Sequence, residues 1–181
     1  MARSTPNFVA VFALLACLAT SGAACGGGPA FDGRVIDAGD YAFRVGDVPP
    51  GYRQLETEGG AVAFRDDAGG STIAVSGRCG QDGDDVPLAS LTQHLFIQFT
   101  ERVIERQDVV PMDGREALHT VLAAKLDGVP KRFDVWVLKK DGCVFDLYLI
   151  AEPSRFEGAA GPFRAFVSGF ATVRTPVAKA P

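Results

Sequence analysis

Cys79 and Cys143 carry the most reactive side chains in the body of this 181-residue chain. Two thiols can form a redox couple, hold a metal or close a structural disulfide. Redox couples usually sit close together as CxxC, and a structural zinc site takes four ligands. Here the cysteines stand 64 residues apart and the chain has only two histidines, so the pattern reads as a disulfide formed in an oxidising compartment. Closing so long a loop stabilises a fold by about 4 kcal/mol on chain-entropy grounds.

The two histidines are the next candidates. A hydrolase built on either would need a nucleophile and an orienting acid around it. His94 falls on a helical pattern beside Gln98 and Glu101 and is expected to face solvent. His119 is expected in a strand opposite Leu138, with no acid beside it, and no GxSxG motif accompanies it. The acidic loops "RDDAGGS" and "GQDGDDVP" invite a calcium reading. Counted from Asp82, however, position twelve of an EF-hand loop is Gln93, and Pro87 interrupts the loop. Turn and helix-capping roles suit these acids better.

Asp146 stands inside the apolar run "CVFDLYLIA". A carboxylate on a covered sheet face needs a partner, because burying it alone costs several kcal/mol. Arg102, Arg106 or Arg164, all read as helical, are the expected partners; the alternative is a polar floor of a pocket between sheet and helix.

These residues are positioned by elements whose periods are visible in the sequence. "YAFRV" alternates as a strand, and "YRQLE" and "AVAFRD" flank a "TEGG" turn as a hairpin. "STIAVSG" is a further strand ending just before Cys79. From Leu88 to Gln107 the residues Leu88, Leu91, Leu95, Phe99 and Val103 recur at three and four, which predicts an amphipathic helix. Asp113-Gly114, Asp127-Gly128 and Asp141-Gly142 then fall 14 residues apart, each a favoured hairpin turn opening a β-rich segment. A two-residue turn at Asp141-Gly142 pairs Lys140 with Cys143, Leu138 with Phe145, Val137 with Asp146 and Trp136 with Leu147. Both faces of that hairpin are apolar, so both must be covered. A last helix over 159–171 carries Phe163, Phe166, Val167 and Phe170 on one stripe, with Pro162 in its first turn. The order predicts an α+β fold: an antiparallel sheet of about six strands, an early hairpin followed by a three-strand meander, flanked by two helices.

The first 24 residues differ from the rest, with Arg3 as their one charge and an apolar run from Phe8 to Ala19. That is a signal peptide's n-region and h-region, too short to span a bilayer of about 30 Å. "TSGAACGGG" then resembles a bacterial lipoprotein signal with Cys25 as the acylated residue, and "LLAC" makes Cys17 a rival anchor. Parity favours Cys25, which leaves Cys79 and Cys143 to pair, whereas Cys17 would leave an odd thiol. Ordinary cleavage near Ala23 or Ala24, with soluble secretion, is the remaining option. A processed lipoprotein carries several acyl chains and stays on its membrane. Gly26 after the cysteine resembles lipoproteins sorted to the outer membrane. Residues 25–40 read as the anchor and a flexible glycine-rich tether, 41–173 as a single domain, and 174–181 as a disordered tail. Without residues 1–24 the chain keeps 17 basic and 22 acidic residues, a net charge of −5, which gives no electrostatic case for nucleic acid.

The proline-glycine opener "VPPGY", the early hairpin, the long helix, the meander and the closing "FRAFVSGF" together resemble the PsbP-like fold, also found in small bacterial lipoproteins. The resemblance spans 41–173 and departs at Tyr52, where a tryptophan is common. It implies a non-catalytic binding or assembly domain with no cofactor. The expected protein is therefore a monomeric, lipid-anchored envelope domain facing the periplasm, which takes an envelope protein or a small apolar ligand. An envelope hydrolase using His119 is the alternative.

Overall fold

The structure, a computed structural model, describes residues 28–57, 61–80 and 86–175. Strands β1 (Ala30–Phe31), β2 (Val35–Asp37) and β3 (Ala42–Arg44) open the chain. β4 (Arg53–Leu55), β5 (Ala61–Asp66) and β6 (Ser71–Cys79) follow, then helix α1 (Leu88–His94). Four long strands come next: β7 (Thr100–Met112), β8 (Arg115–Leu126), β9 (Val129–Lys140) and β10 (Cys143–Ala151). Helix α2 (Phe156–Ser168) and β11 (Ala171–Arg174) close the domain.

The three Asp-Gly turns build most of the large sheet. Asp113, Asp127 and Asp141 have φ of 48°, 50° and 51°, and the glycine after each is also positive. Two consecutive positive-φ residues make the mirror-image turn whose twist matches antiparallel strands. Three such turns join four strands, so the meander has four rather than three. This shortens the expected helix over 88–107 to seven residues, with β7 in place of its second half. The spacing of Leu95, Phe99 and Val103 fits a helix locally, but the Asp113-Gly114 turn demands a strand before it as well as after. Pairing along the length of β8 outweighs the local pattern.

The result is a seven-stranded antiparallel sheet ordered β4-β5-β6-β10-β9-β8-β7 and a four-stranded sheet ordered β1-β2-β3-β11, more strands than the six expected. The predicted β9–β10 register holds at all four pairs. Both faces of the β9–β10 hairpin are covered. Trp136, Leu138, Phe145, Leu147 and Leu149 pack under α2 and the small sheet, and Phe133, Val135, Val137, Val144 and Tyr148 pack toward α1. Phe43, Phe145 and Phe170 meet pairwise with ring centroids 5.2 to 5.5 Å apart and join the two sheets. Gly77 is required where they meet, because a Cβ there would lie 2.5 Å from the Tyr41 ring.

The N-terminal tether is shorter than 25–40. Asp32 Oδ1 accepts the Arg34 and Val35 N–H groups at 2.9 and 2.7 Å, a local turn that folds Val35–Asp37 back as β2. Ile36 then enters the core at 1% exposure. α2 begins one turn earlier than expected, which places Pro162 inside the helix instead of in its first turn. The residues after α2 form β11, bonded to β3, so Arg174 belongs to the domain and not to the tail. Cys17, Cys25, the rest of 1–27 and 176–181 lie outside the described residues.

β7 is an edge of the large sheet. It breaks register with β8 twice, between Thr100 and Val103 and between Ile104 and Arg106, and Glu101 adopts φ 50° in the first irregularity. Bulges and charges on an edge discourage pairing with another chain.

Candidate functional site

Cys79 and Cys143 are a directly opposed pair on β6 and β10, and they form the expected disulfide. Beside it lies a concavity of about 850 Å³ whose rim includes Leu88, Arg115, Lys139 and Lys140. Lys140, on that rim, is engaged in holding loops together. Lys140 Nζ meets Asp113 Oδ2 at 2.8 Å, and the same oxygen accepts Thr172 N at 2.8 Å and Thr172 Oγ1 at 2.9 Å. Burial pushes the Asp113 carboxyl upward, but the Lys140 and Thr172 hydrogen bonds outweigh it and hold it below the usual carboxylate range. Asp113 thereby fastens the β7–β8 turn to β11.

Asp146 is 1% exposed on the α1 side of β10. Its ion-pair partner is Arg78 of the neighbouring strand β6, not one of the helical arginines expected. The reason is register: Asp146 faces Ser76, so Arg78, two residues along β6 on the same face, reaches it diagonally. Arg102 and Arg106 lie on β7, and Arg164 is taken by Asp134. Among the described cavities, none is lined by Asp146. Burial, and then the nearby Asp146 charge, raise the Tyr148 hydroxyl above its ordinary range.

His119 departs further from expectation. It pairs with Trp136 rather than Leu138, because the turn at Asp127-Gly128 sets Leu126 against Val129 and carries that register back along β8. Two residues before Trp136, on the same face, stands Asp134, which is fully buried. His119 Nε2 and Asp134 Oδ1 are 2.8 Å apart. Trp136 Nε1–H donates to the same oxygen at 2.9 Å, and Arg164 Nε–H donates to Oδ2 at 2.9 Å. The imidazole stacks on the indole, with centroids 4.3 Å apart. His119 thus has an acid beside it. The alternation Asp134, Trp136, Leu138 was the signal, and it needed only the correct register. The dyad lies under α2, with the His119 side chain 6% exposed and Asp134 0%. Among the described hydrogen bonds of His119 none runs to a serine, threonine or cysteine. The geometry latches α2 to the sheet through Arg164.

His94 ends α1 and is exposed. In the loop 65–71 the Asp66 carboxylate accepts Gly69 N–H at 2.8 Å, and Asp67 pairs with Arg53 at 2.9 Å. Asp82, Asp84 and Asp85 lie outside the described residues, and among the described ones no three His, Cys, Asp or Glu side chains converge to hold a metal.

The α1 side of the sheet is incompletely covered, because α1 stops at His94. Between the turn that follows it and β7–β8 opens a cleft of about 280 Å³, walled by Phe96, Ile104 and Leu122 and edged by Arg102, Gln107 and Thr120. Phe96 and Leu122 are buried, whereas Ile104 is 54% exposed. Nearby, Ile97 is also open to solvent at 75%, whereas Val103, paired with Ala123, lies on the opposite face of β7.

A seven-stranded antiparallel sheet with a helix on each face and a small second sheet defines an α+β domain of PsbP-like architecture. Solved structures share it, two of them as follows. The cyanobacterial PsbP, CyanoP, of Synechocystis superposes with a TM-score of 0.54 at 16% identity, over 81% of this chain and 95% of its own. LpqN of Mycobacterium tuberculosis, described as involved in cell envelope biogenesis, superposes with a TM-score of 0.54 at 16% identity, over 82% of this chain and 90% of its own. No family model matches the chain. No curated protein matches it either. Among the described residues no helix is long and apolar enough to cross a membrane.

Proposed function

We propose that the chain is a non-catalytic, lipid-anchored domain of the cell envelope, which binds an envelope protein or a small apolar ligand on the α1 side of its large sheet. One contrast carries this reading. The His119–Asp134 pair is sealed beneath α2 with its acid occupied by Trp136 and Arg164, whereas the α1–β7–β8 cleft is open and edged by exposed apolar side chains. The envelope role of LpqN, which has the same fold, supports the location. The acyl anchor is Cys25, with Cys17 as the alternative, and the domain faces the periplasm from the outer membrane. β1 starts only five residues after Cys25, a reach of at most about 18 Å, so a Cys25 anchor keeps the domain close to the bilayer. Charges and bulges along β7 favour a monomer.

Fractionation and crosslinking test the proposal together. Cys25→Ser should move the protein from the membrane to the soluble fraction, and unchanged fractionation overturns the Cys25 anchor. Photo-crosslinkers placed at Ile97 and Ile104 in native membranes should capture a partner that a crosslinker at Arg155, beside α2, does not. Equal capture from both positions overturns the α1-side assignment. The alternative, an envelope hydrolase, rests on the 2.8 Å His119–Asp134 contact. It requires ester or amide hydrolysis that His119→Gln abolishes while the fold stays intact.

A further inference from the structure

We propose that the α1–β7–β8 cleft is a binding site for a small monocarboxylate with a short alkyl chain, the carboxylate meeting Arg102 and the chain lying among Phe96, Ile104 and Leu122. This rests on the reading of the domain as a binding module and names the ligand class.

The charges of β7 point to the headgroup. Glu101 is paired with Lys125 at 2.8 Å, Glu105 with Arg132 at 2.7 Å, and Arg106 with Asp108. Arg102 is the remaining charge on this strand, and among the described ion pairs none involves it. Its described hydrogen bond is a long one, Nη1–H to the Phe96 carbonyl at 3.3 Å. That contact holds the guanidinium at the cleft while leaving other N–H donors to an anion, and two such donors match a carboxylate in fork geometry.

The walls point to the chain. Leu122 and Phe96 are 3% and 5% exposed, and Ile104 presents an apolar side chain at the mouth at 54% exposure. Two of the polar groups lower in the cleft bond to the protein: Thr92 Oγ1–H donates to the Leu88 carbonyl at 2.9 Å, and Gln107 Nε2–H donates to Thr120 Oγ1 at 3.1 Å. A ligand entering past Arg102 therefore meets the carbon surface of Phe96, Ile104 and Leu122, which favours an alkyl chain over a polyol. At about 30 Å³ per non-hydrogen atom of a liquid, the 280 Å³ space holds roughly nine such atoms. Octanoate, with ten, is close to that size.

The full chain in phospholipid nanodiscs, with empty nanodiscs as the blank, is titrated with octanoate, octanol and octylammonium, and followed by calorimetry and by backbone amide shifts. Saturable octanoate binding is expected, with the largest shifts at Phe96, Arg102, Ile104 and Thr120. Octanol should bind more weakly and octylammonium weakest. Arg102→Gln should weaken octanoate at least tenfold and leave octanol unchanged, Arg102→Lys should retain most of the affinity, and Leu122→Trp should block both by filling the cleft. Absence of saturable shifts at the cleft overturns the proposal, as does octanoate binding indifferent to Arg102→Gln. If octanoate fails while the crosslinkers at Ile97 and Ile104 still capture a partner, the ligand class falls and the binding-module reading stands. If both fail, that reading falls too.

Discussion

The Arg164 Nε–H group donates to Asp134 Oδ2 at 2.9 Å, and the opposite carboxylate oxygen meets His119 at 2.8 Å. One fully buried carboxylate therefore links α2, β8 and β9, with the indole N–H of Trp136 as its third donor. Asp134→Ala removes the acceptor shared by three donors and leaves them buried or half-buried without it. Leaving the buried imidazole and indole donors without their acceptor costs about 1 to 3 kcal/mol each, so a drop of a few kcal/mol is expected in the unfolding free energy from urea titration. His119→Gln, which keeps a donor near Asp134, should cost less than half as much.

Asp113 gives the fold an acid-side dependence on pH. Its carboxyl is held below the ordinary range by Lys140 and Thr172, so its stabilisation is fully present above the unfolded aspartate value of about 3.9 and is lost as pH falls through the lower folded value. Asp113→Asn should therefore lower the melting temperature at pH 7 and flatten its fall below about pH 4. Melting curves of the two proteins between pH 2 and pH 7 should converge at the acid end.

Much of the architecture is legible in the sequence because its signals are local. The Asp-Gly turns fix the hairpins, the β9–β10 register follows from Asp141-Gly142, and the alternation of Phe145, Leu147 and Leu149 identifies one covered face. What is not legible depends on distant partners. Leu95, Phe99 and Val103 fit a helix until β8 is known to need an edge strand. Ile36 looks like tether until its burial against the core is seen. The same holds for the site residues. Cys79 and Cys143 are found by parity and compartment, while Arg78 as the partner of Asp146 needs the pairing of β6 with β10, and that pairing spans a separation of 68 residues. Arg102 gains its meaning only when every other charge on β7 has been placed.

The Arg78–Asp146 pair is asymmetric in burial, with side chains 28% and 1% exposed. Removing the arginine takes a close positive charge away from a carboxylate in the interior, whereas removing the aspartate leaves a guanidinium that still reaches water. Arg78→Ala should therefore destabilise more than Asp146→Ala. A double-mutant cycle on chemical denaturation would show the difference. Equal losses would mean that the pair's exposure does not govern its energetics.

The disulfide offers the sharpest covalent test. Peptide mapping without reductant should recover Cys79 linked to Cys143, and two alkylatable thiols in the native protein would refute the bridge. The bond joins the end of β6 to the head of β10 across a separation of 64 residues. A loop of that length contributes about 4 kcal/mol by restricting the unfolded chain. Eight further paired positions run from Val144 opposite Arg78 to Ala151 opposite Ser71, and they hold the two strands together without it. Cys79→Ser with Cys143→Ser should therefore keep the native circular dichroism spectrum while losing about 4 kcal/mol in urea. A double variant unfolded in buffer would show instead that the bridge, and not the ladder, sets the pairing of β6 with β10.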